Sequence, residues 1–416
     1  MGTSQIMTGP APKWFWVWLG ALGLFLVAAG TGAWLRFGIL TGFPWGLQYT
    51  NVRHAHSHLM YFGWVTPALM ALIWVWLPRV TERPLSPSHQ RQFRRIIGLV
   101  LLLAAAAYLS FLLYGYRPAQ FGGARLPLST ILASFNMLAW YAFIVVYWRA
   151  SRGVVRKRPL RLWDAALAFM VLATLGAWGI ALTVILGLQD PIVSAILTHL
   201  FLDTFSEGWF VLALLGVAYA LAPQAAVRPW AARSESLLVM GLPVLFLLTM
   251  PVTSLPPFVR LIASLGGLMV GLGLWSSVIV LWRHGDRSWR LPLAFLALKA
   301  TTALAVTIPS LAIWAERSLL RVSYLHWLLL GFVTLGVAAA AQAAWGKFLV
   351  PGRRWLGLAV ILLVLSLIPL TALWPAVWHG LWTRQLAAAA ALGPLLIALV
   401  MWGQGFRRYR KMQAVL

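Results

Sequence analysis

Cysteine is absent from this 416-residue chain, and acidic residues are scarce. Without cysteine, the protein can form no disulfide bond, thiolate metal site, iron–sulfur cluster or covalent c-type haem attachment. Asp and Glu together number 8, against 33 Lys and Arg, which gives a formal net charge of +25. A haem group, if one is bound, must therefore be held by histidine or another non-thiolate ligand.

Charge of either sign is rare, because 61% of the residues are hydrophobic and only 10% are charged. The apolar runs are too long and too frequent for a soluble core, so the backbone must satisfy its polar groups as helices inside lipid. We predict an all-α integral membrane protein, a bundle that forms one polytopic membrane domain over residues 1–416. About twelve transmembrane helices are predicted, near 14–37, 57–78, 96–116, 127–148, 163–187, 192–222, 236–252, 257–282, 291–313, 323–345, 355–374 and 385–405.

The basic residues gather in alternate loops. They cluster over 79–95, 149–161, 283–290, 347–354 and 407–411. The positive-inside rule then predicts that both termini are cytoplasmic and that the charge reflects topology, so no nucleic-acid partner is expected. The first span lacks a small-residue cleavage pattern and is expected to be retained. These features predict a multi-pass protein whose partner is the lipid bilayer, in the inner (plasma) membrane of a prokaryote.

Histidines occur at similar depth in three spans. His54, His56 and His58 lie at the head of span 2, His199 is in span 6, and His326 is in span 10. In the predicted topology, even-numbered spans begin at the outer face, so all five lie toward one side. Ionisable groups in a bilayer are costly and mark functional sites, and a buried imidazole needs a partner for each ring nitrogen. A shared cofactor accounts for this pattern; the alternative is a set of histidines hydrogen-bonded between helices.

The residues after His56 carry a resemblance to a known family. His56 is followed by Met60, Phe62 and Pro67 at the fourth, sixth and eleventh positions. This pattern resembles the helix II signature of subunit I in the haem–copper oxidase superfamily. The resemblance implies a subunit I-like bundle in which His56 is an axial ligand of a low-spin haem.

Span 10 extends the resemblance. Its residues from Tyr324 to Gly331 are similar to the family's helix X, where an H-x-H pair serves two haems, and His326 stands at the second position of that pair. The resemblance implies one low-spin, bis-histidine haem b held by His56 and His326. Tyr324 stands where the family has the proximal ligand of a second, high-spin haem. A tyrosine normally titrates near pH 10, so it would need strong activation to bind iron, and a second haem is not expected.

Span 6 carries three polar residues at spacings of four. His199, Asp203 and Glu207 lie along one helical stripe. The pattern resembles helix VI of nitric oxide reductases, where a histidine and a glutamate four residues later help bind non-haem iron; His199 and Asp203 match those places. Span 7 carries no histidine, so an incomplete metal site is implied, with Glu207 as a substitute ligand or proton carrier. The alternative is a hydrogen-bonded polar cluster. A catalytic centre is expected near these three residues and Tyr324.

Four basic residues belong to the predicted membrane region or its outer edge. Arg53 precedes the histidines of span 2, whereas Arg317 and Arg321 precede His326. All three could pair with the propionates of an outward haem, or they could be ordinary interfacial arginines. Lys299 falls inside span 9, where it needs a polar partner, and we interpret it as snorkelling toward the inner face.

The surviving motifs predict a function in membrane electron transfer, or in a divergent oxidoreductase step of oxygen or nitric oxide metabolism, with a degenerate second-haem and copper centre. Quinol or a separate electron-donor protein would be the partner. Two other functions remain open. One is a proton-coupled transporter that uses His199, Asp203, Glu207 and Lys299; the other is a haem-binding sensor or assembly factor without turnover.

Overall fold

The chain is an all-α, multi-span membrane protein. A computed structural model describes residues 14–188 and 190–414. Within these ranges, eleven helices are long and apolar enough to cross a membrane, and a bent helix pair raises the number to twelve if it is one span. The helices are α1 Phe15–Thr41, α2 Tyr49–Thr81, α3 Pro87–Tyr114, α4 Leu128–Ala150, α5 Arg158–Ile185, α6 Pro191–Leu221, α7 Pro229–Thr249, α8 Pro257–His284, α9 Arg290–Ala305, α10 Pro309–Arg317, α11 Leu320–Leu349, α12 Arg353–Leu370 and α13 Leu381–Gln413.

Short elements occupy several loops. Between α3 and α4, strands β1 (Ala119–Phe121) and β2 (Ala124–Leu126) form an antiparallel hairpin that the sequence analysis did not anticipate. The remaining short helices are Pro44–Gly46, Pro223–Ala226, Val252–Ser254, Arg287–Trp289 and Ala376–Trp378. The predicted cytoplasmic positions of the two chain ends fall on residues outside the described ranges.

Helix α2 begins earlier than predicted. It starts at Tyr49 rather than near residue 57, so the three histidines lie within the helix and not at its head. Its first turn stays folded although it is polar, because the buried Asn51 donates from Nδ2 to the carbonyl of Leu113 at 3.3 Å. A hydrogen bond of this kind offsets the cost of burying a polar side chain.

The predicted ninth span is not one straight helix. Helices α9 and α10 meet at an angle of 117°, so the predicted span over 291–313 is a bent helix pair, which forms either a broken span or a re-entrant loop. Pro309 restricts Ile308, which takes an extended backbone with ψ of 118° and ends the helix. The carbonyls freed at the break accept hydrogen bonds from α8: Arg260 Nη2 donates to Val306 at 3.1 Å, and Ser264 Oγ donates to Thr307 at 3.2 Å.

In the part of the chain that the structure describes, three helices contain a π-helical segment. These segments are Leu59–Val65 in α2, Thr204–Phe210 in α6 and Trp327–Thr334 in α11. The same three helices carry the predicted histidines, and their apolar windows are 83–100% buried, whereas the other eight spans reach 33–56%. Since π segments inside α-helices are frequent at functional sites, we expect the functional side chains to lie on α2, α6 and α11.

The chain divides into two compact units. Unit 1 comprises Met1–Ala150, Val337–Ala359 and Ala388–Leu416, and unit 2 comprises Ser151–Gly336 and Val360–Ala387. Arg53 and His56 belong to unit 1, whereas the candidates in unit 2 are His199, Asp203, Glu207, Arg317, Arg321, Tyr324 and His326. The single membrane domain stays a prediction.

Candidate functional site

In unit 1, the imidazole of His56 is held by helix α1. Its Nδ1 lies 2.9 Å from the carbonyl oxygen of Ala28. A carbonyl can only accept a hydrogen bond, so Nδ1 carries the proton and the neutral ring presents its lone pair on Nε2. Metal-bound histidines are commonly oriented in this way, with one ring nitrogen fixed by a main-chain carbonyl and the other left to bind the metal.

A glycine on α1 lets the His56 ring come close to the helix backbone. A Cβ added at Gly32 would lie 2.8 Å from Cε1 of His56, closer than real Cβ contacts. Gly32 follows Ala28 by four residues, so both lie on the same face of α1. Neither residue was predicted to contact His56.

We expect Gly32→Ala to destabilise unit 1 by about 1–3 kcal/mol, because the added methyl group must displace the His56 ring. Gly30→Ala is the matched control, since a Cβ there would meet only Leu395 Cδ1 at 3.5 Å, an ordinary contact. Both substitutions change helix propensity equally. Thermal unfolding followed by circular dichroism in detergent measures the difference, and equal stability of the two variants would contradict close packing at Gly32.

The neighbouring histidines of α2 have aromatic partners in unit 1. The His58 ring stacks on Phe111 with centroids 3.8 Å apart, and its Nε2 lies 3.3 Å from the hydroxyl of Tyr116. The His54 ring packs edge-on against the same tyrosine at 4.8 Å. Arg53, the predicted propionate partner, is exposed on this helix. Nδ1 of His58 is buried without a hydrogen-bond partner, so the choice of His56 as the ligand among the three histidines stays a prediction.

In unit 2, His326 has the same tautomer as His56. Its Nδ1 lies 2.7 Å from the carbonyl oxygen of Val322, one helical turn earlier, so this nitrogen is the donor and Nε2 carries the lone pair. The next residue, Trp327, starts the π segment and packs edge-on against Tyr324 with centroids 5.7 Å apart. The imidazole orientation thus follows from local helix geometry.

His199 and Asp203 form a pair on α6, as their spacing predicts. Oδ2 of Asp203 lies 2.8 Å from Nδ1 of His199 and accepts from the hydroxyl of Thr249 at 2.5 Å. Arg321 approaches from α11, with Nη1 3.5 Å from Nε2 of His199 and Nη2 3.9 Å from Oδ1 of Asp203. Arg321 thus contacts this pair, whereas Arg317 is exposed in the last turn of α10. The propionate role of both arginines stays a prediction.

Glu207 and Tyr324 also meet, and Lys299 joins them. Nζ of Lys299 lies 2.5 Å from Oε2 of Glu207, and the Tyr324 hydroxyl donates to Oε1 of the same carboxylate. The Lys299 side chain is 1% exposed, so its interpretation as a snorkelling lysine is wrong. The reason lies one turn away, where Phe295 packs on Gly331 of the α11 π segment and turns this face of α9 inward.

The chemistry available in unit 2 is therefore that of a buried hydrogen-bond and ion-pair network. Within residues 14–188 and 190–414, no three His, Cys, Asp or Glu side chains gather as a metal site. His199 and Asp203 supply two of the ligand types that an iron site would need, and their metal role stays a prediction. Among known proteins, no family model matches this chain and no curated protein matches it.

Proposed function

We propose that this protein binds one low-spin haem b through His56 and His326 and carries electrons in the inner (plasma) membrane of a prokaryote, as a divergent relative of haem–copper oxidase subunit I. One observation supports this most directly. Nδ1 of each imidazole donates its proton to a main-chain carbonyl, at 2.9 Å and 2.7 Å, so both rings are in the tautomer whose Nε2 lone pair binds iron.

The residues of the chain fit this group. The carbonyls of Ala28 and Val322 fix the tautomer and orientation of the two rings and make each a more basic ligand. Ligation by two imidazoles leaves the iron six-coordinate, so a haem bound in this way supplies one-electron transfer and disfavours oxygen binding at its own iron. Quinol or a separate donor protein would deliver the electrons. A reductase step on oxygen or nitric oxide would require a second centre in unit 2.

A second candidate function is proton-coupled transport. It is favoured by the break between α9 and α10 and by the charged side chains within the membrane-spanning helices of unit 2. Broken helices and intramembrane charges line the substrate paths of many secondary transporters. In this candidate, His199, Asp203, Glu207 and Lys299 would carry the coupling proton. A haem-binding sensor or assembly factor without turnover is a variant of the first proposal.

The visible spectrum of the purified full chain tests the first proposal. We expect a sharp reduced-state α-band, one haem b per chain in the pyridine haemochromogen assay, and low-spin ferric signals in electron paramagnetic resonance. A folded but colourless protein would overturn the proposal and favour transport. Consumption of oxygen or nitric oxide with an artificial electron donor separates an oxidoreductase from an electron carrier or sensor.

A further inference from the structure

The network of Glu207, Lys299 and Tyr324 is the buried charged group that haem binding at His56 and His326 does not use. The side chains of Lys299 and Glu207 are 1% and 6% exposed. Glu207 lies in α6, a candidate membrane span, and Lys299 lies in α9, the first helix of the bent pair. A charge in this setting is costly unless it is paired and hydrogen-bonded. The three side chains come from α9, α6 and α11, so their meeting is a property of the folded unit 2.

Both oxygens of the Glu207 carboxylate are engaged within the protein. Oε2 forms an ion pair with the Lys299 ammonium group at 2.5 Å, without the geometry of a hydrogen bond, and Oε1 accepts a hydrogen bond from the Tyr324 hydroxyl. A phenol that donates this hydrogen bond keeps its proton, whereas a tyrosine that binds haem iron does so as tyrosinate. The residues therefore do not fit a second haem on Tyr324.

The other carboxylate of α6, that of Asp203, also lies close to a basic side chain. Asp203 accepts from His199 and Thr249 and faces the guanidinium of Arg321 at 3.9 Å. Each of the two carboxylates therefore faces a basic side chain of its own, Arg321 at the exposed end of the stripe and Lys299 in the interior. A divalent cation bound to Oε2 of Glu207 would have to displace the ammonium group from that oxygen.

We infer that the Lys299 ammonium group is the resident cation of this site and occupies the position that a metal ion would otherwise take beside Glu207. The site is thus a closed ion pair of an ammonium, a carboxylate and a phenol. Removing the ammonium group exposes a carboxylate and a phenol oxygen, which are ligands that suit a hard divalent cation such as Mn²⁺. This inference goes beyond the proposed haem site and does not depend on it.

Equilibrium binding of Mn²⁺ to the purified full chain tests the inference, with free Mn²⁺ measured by its six-line electron paramagnetic resonance signal. We expect wild-type protein and the Lys299→Arg variant to have no Mn²⁺ site that depends on Glu207. Adding Glu207→Gln should therefore leave their Mn²⁺ binding unchanged. Lys299→Met has a side chain of similar volume without the charge. This variant should gain about one Mn²⁺ site per chain, because the Glu207 carboxylate and the Tyr324 hydroxyl supply hard oxygen ligands. The double variant Lys299→Met with Glu207→Gln should lose that site again, which assigns it to this carboxylate.

Two results would overturn the inference. One is a wild-type site for Mn²⁺ that Glu207→Gln abolishes, because the ammonium group would then not exclude the metal. The other is a folded Lys299→Met protein that binds no more Mn²⁺ than the wild type. If Lys299→Met does not fold, Lys299→Gln serves as the second neutral variant under the same criteria. If the purified protein contains no haem, both results can still be measured, because Mn²⁺ binding does not require haem.

Discussion

Replacing Glu207 by leucine is expected to destabilise the protein by about 3–5 kcal/mol, because it strands the Lys299 ammonium group in the membrane interior. The lysine side chain is 1% exposed and cannot reach water without unfolding its surroundings. Breaking a buried ion pair from one side costs far more than the pair itself contributes, since the remaining charge loses its compensation. Thermal unfolding of the purified variant in detergent, followed by circular dichroism, measures the loss.

The matched control removes both charges. In the double variant Glu207→Leu with Lys299→Met, two apolar side chains replace the pair, and such replacements are commonly neutral or stabilising. We expect the double variant to recover most of the stability lost in Glu207→Leu. Tyr324→Phe is a second control, for which a smaller loss of stability is expected than for Glu207→Leu. It removes only one hydrogen bond to a charged group, which contributes about 1.5–3 kcal/mol. A double variant as unstable as Glu207→Leu would show that Lys299 is not stabilised by this carboxylate.

The ion pair also illustrates what the sequence could predict about unit 2. The stripe of His199, Asp203 and Glu207 follows from spacings of four along one helix, and the contact between the first two is of this local kind. Lys299 lies on another helix, and its pairing depends on how Phe295 packs against Gly331. No local pattern encodes that contact, so the lysine was interpreted from its own helix alone.

The fold was predictable where hydropathy alone decides it. The spans follow the apolar runs closely, because backbone groups in lipid must be satisfied within the helix. The break before Pro309 was missed, since its freed carbonyls accept hydrogen bonds from Arg260 and Ser264 of another helix. The π segments were missed as well, because the side-chain bonds of Thr66 and Thr334 to carbonyls five residues earlier leave no periodic signature.

The candidate haem ligands were predicted from a motif resemblance, but the contacts that orient their rings were not predicted. Nothing in the residues around His56 indicates that Ala28 and Gly32 of α1 orient its ring. By contrast, the carbonyl that orients His326 belongs to Val322 of its own helix. Local sequence therefore encodes one ligand environment, while the other requires the packing of two helices.

If haem is bound as proposed, His56→Ala and His326→Ala should each abolish the low-spin haem b spectrum, because either change removes one of the two proposed ligands. His54→Ala is the matched control, since it removes an imidazole two residues away that packs on Tyr116. Reduced-minus-oxidised spectra at equal protein concentration, with the haemochromogen assay for total haem, measure the effect. Loss of the bands in His54→Ala and their survival in His56→Ala would contradict the ligand assignment.

Glycine variants at the same positions separate ligation from folding. His56→Gly and His326→Gly leave space that free imidazole can enter, so added imidazole should restore the low-spin bands where the polypeptide is otherwise intact. The rescue should be weaker at His56, because the free ligand must enter the narrow space beside Gly32. If both variants unfold at the same temperature as the wild type and imidazole restores the bands in neither, then these two histidines do not bind iron.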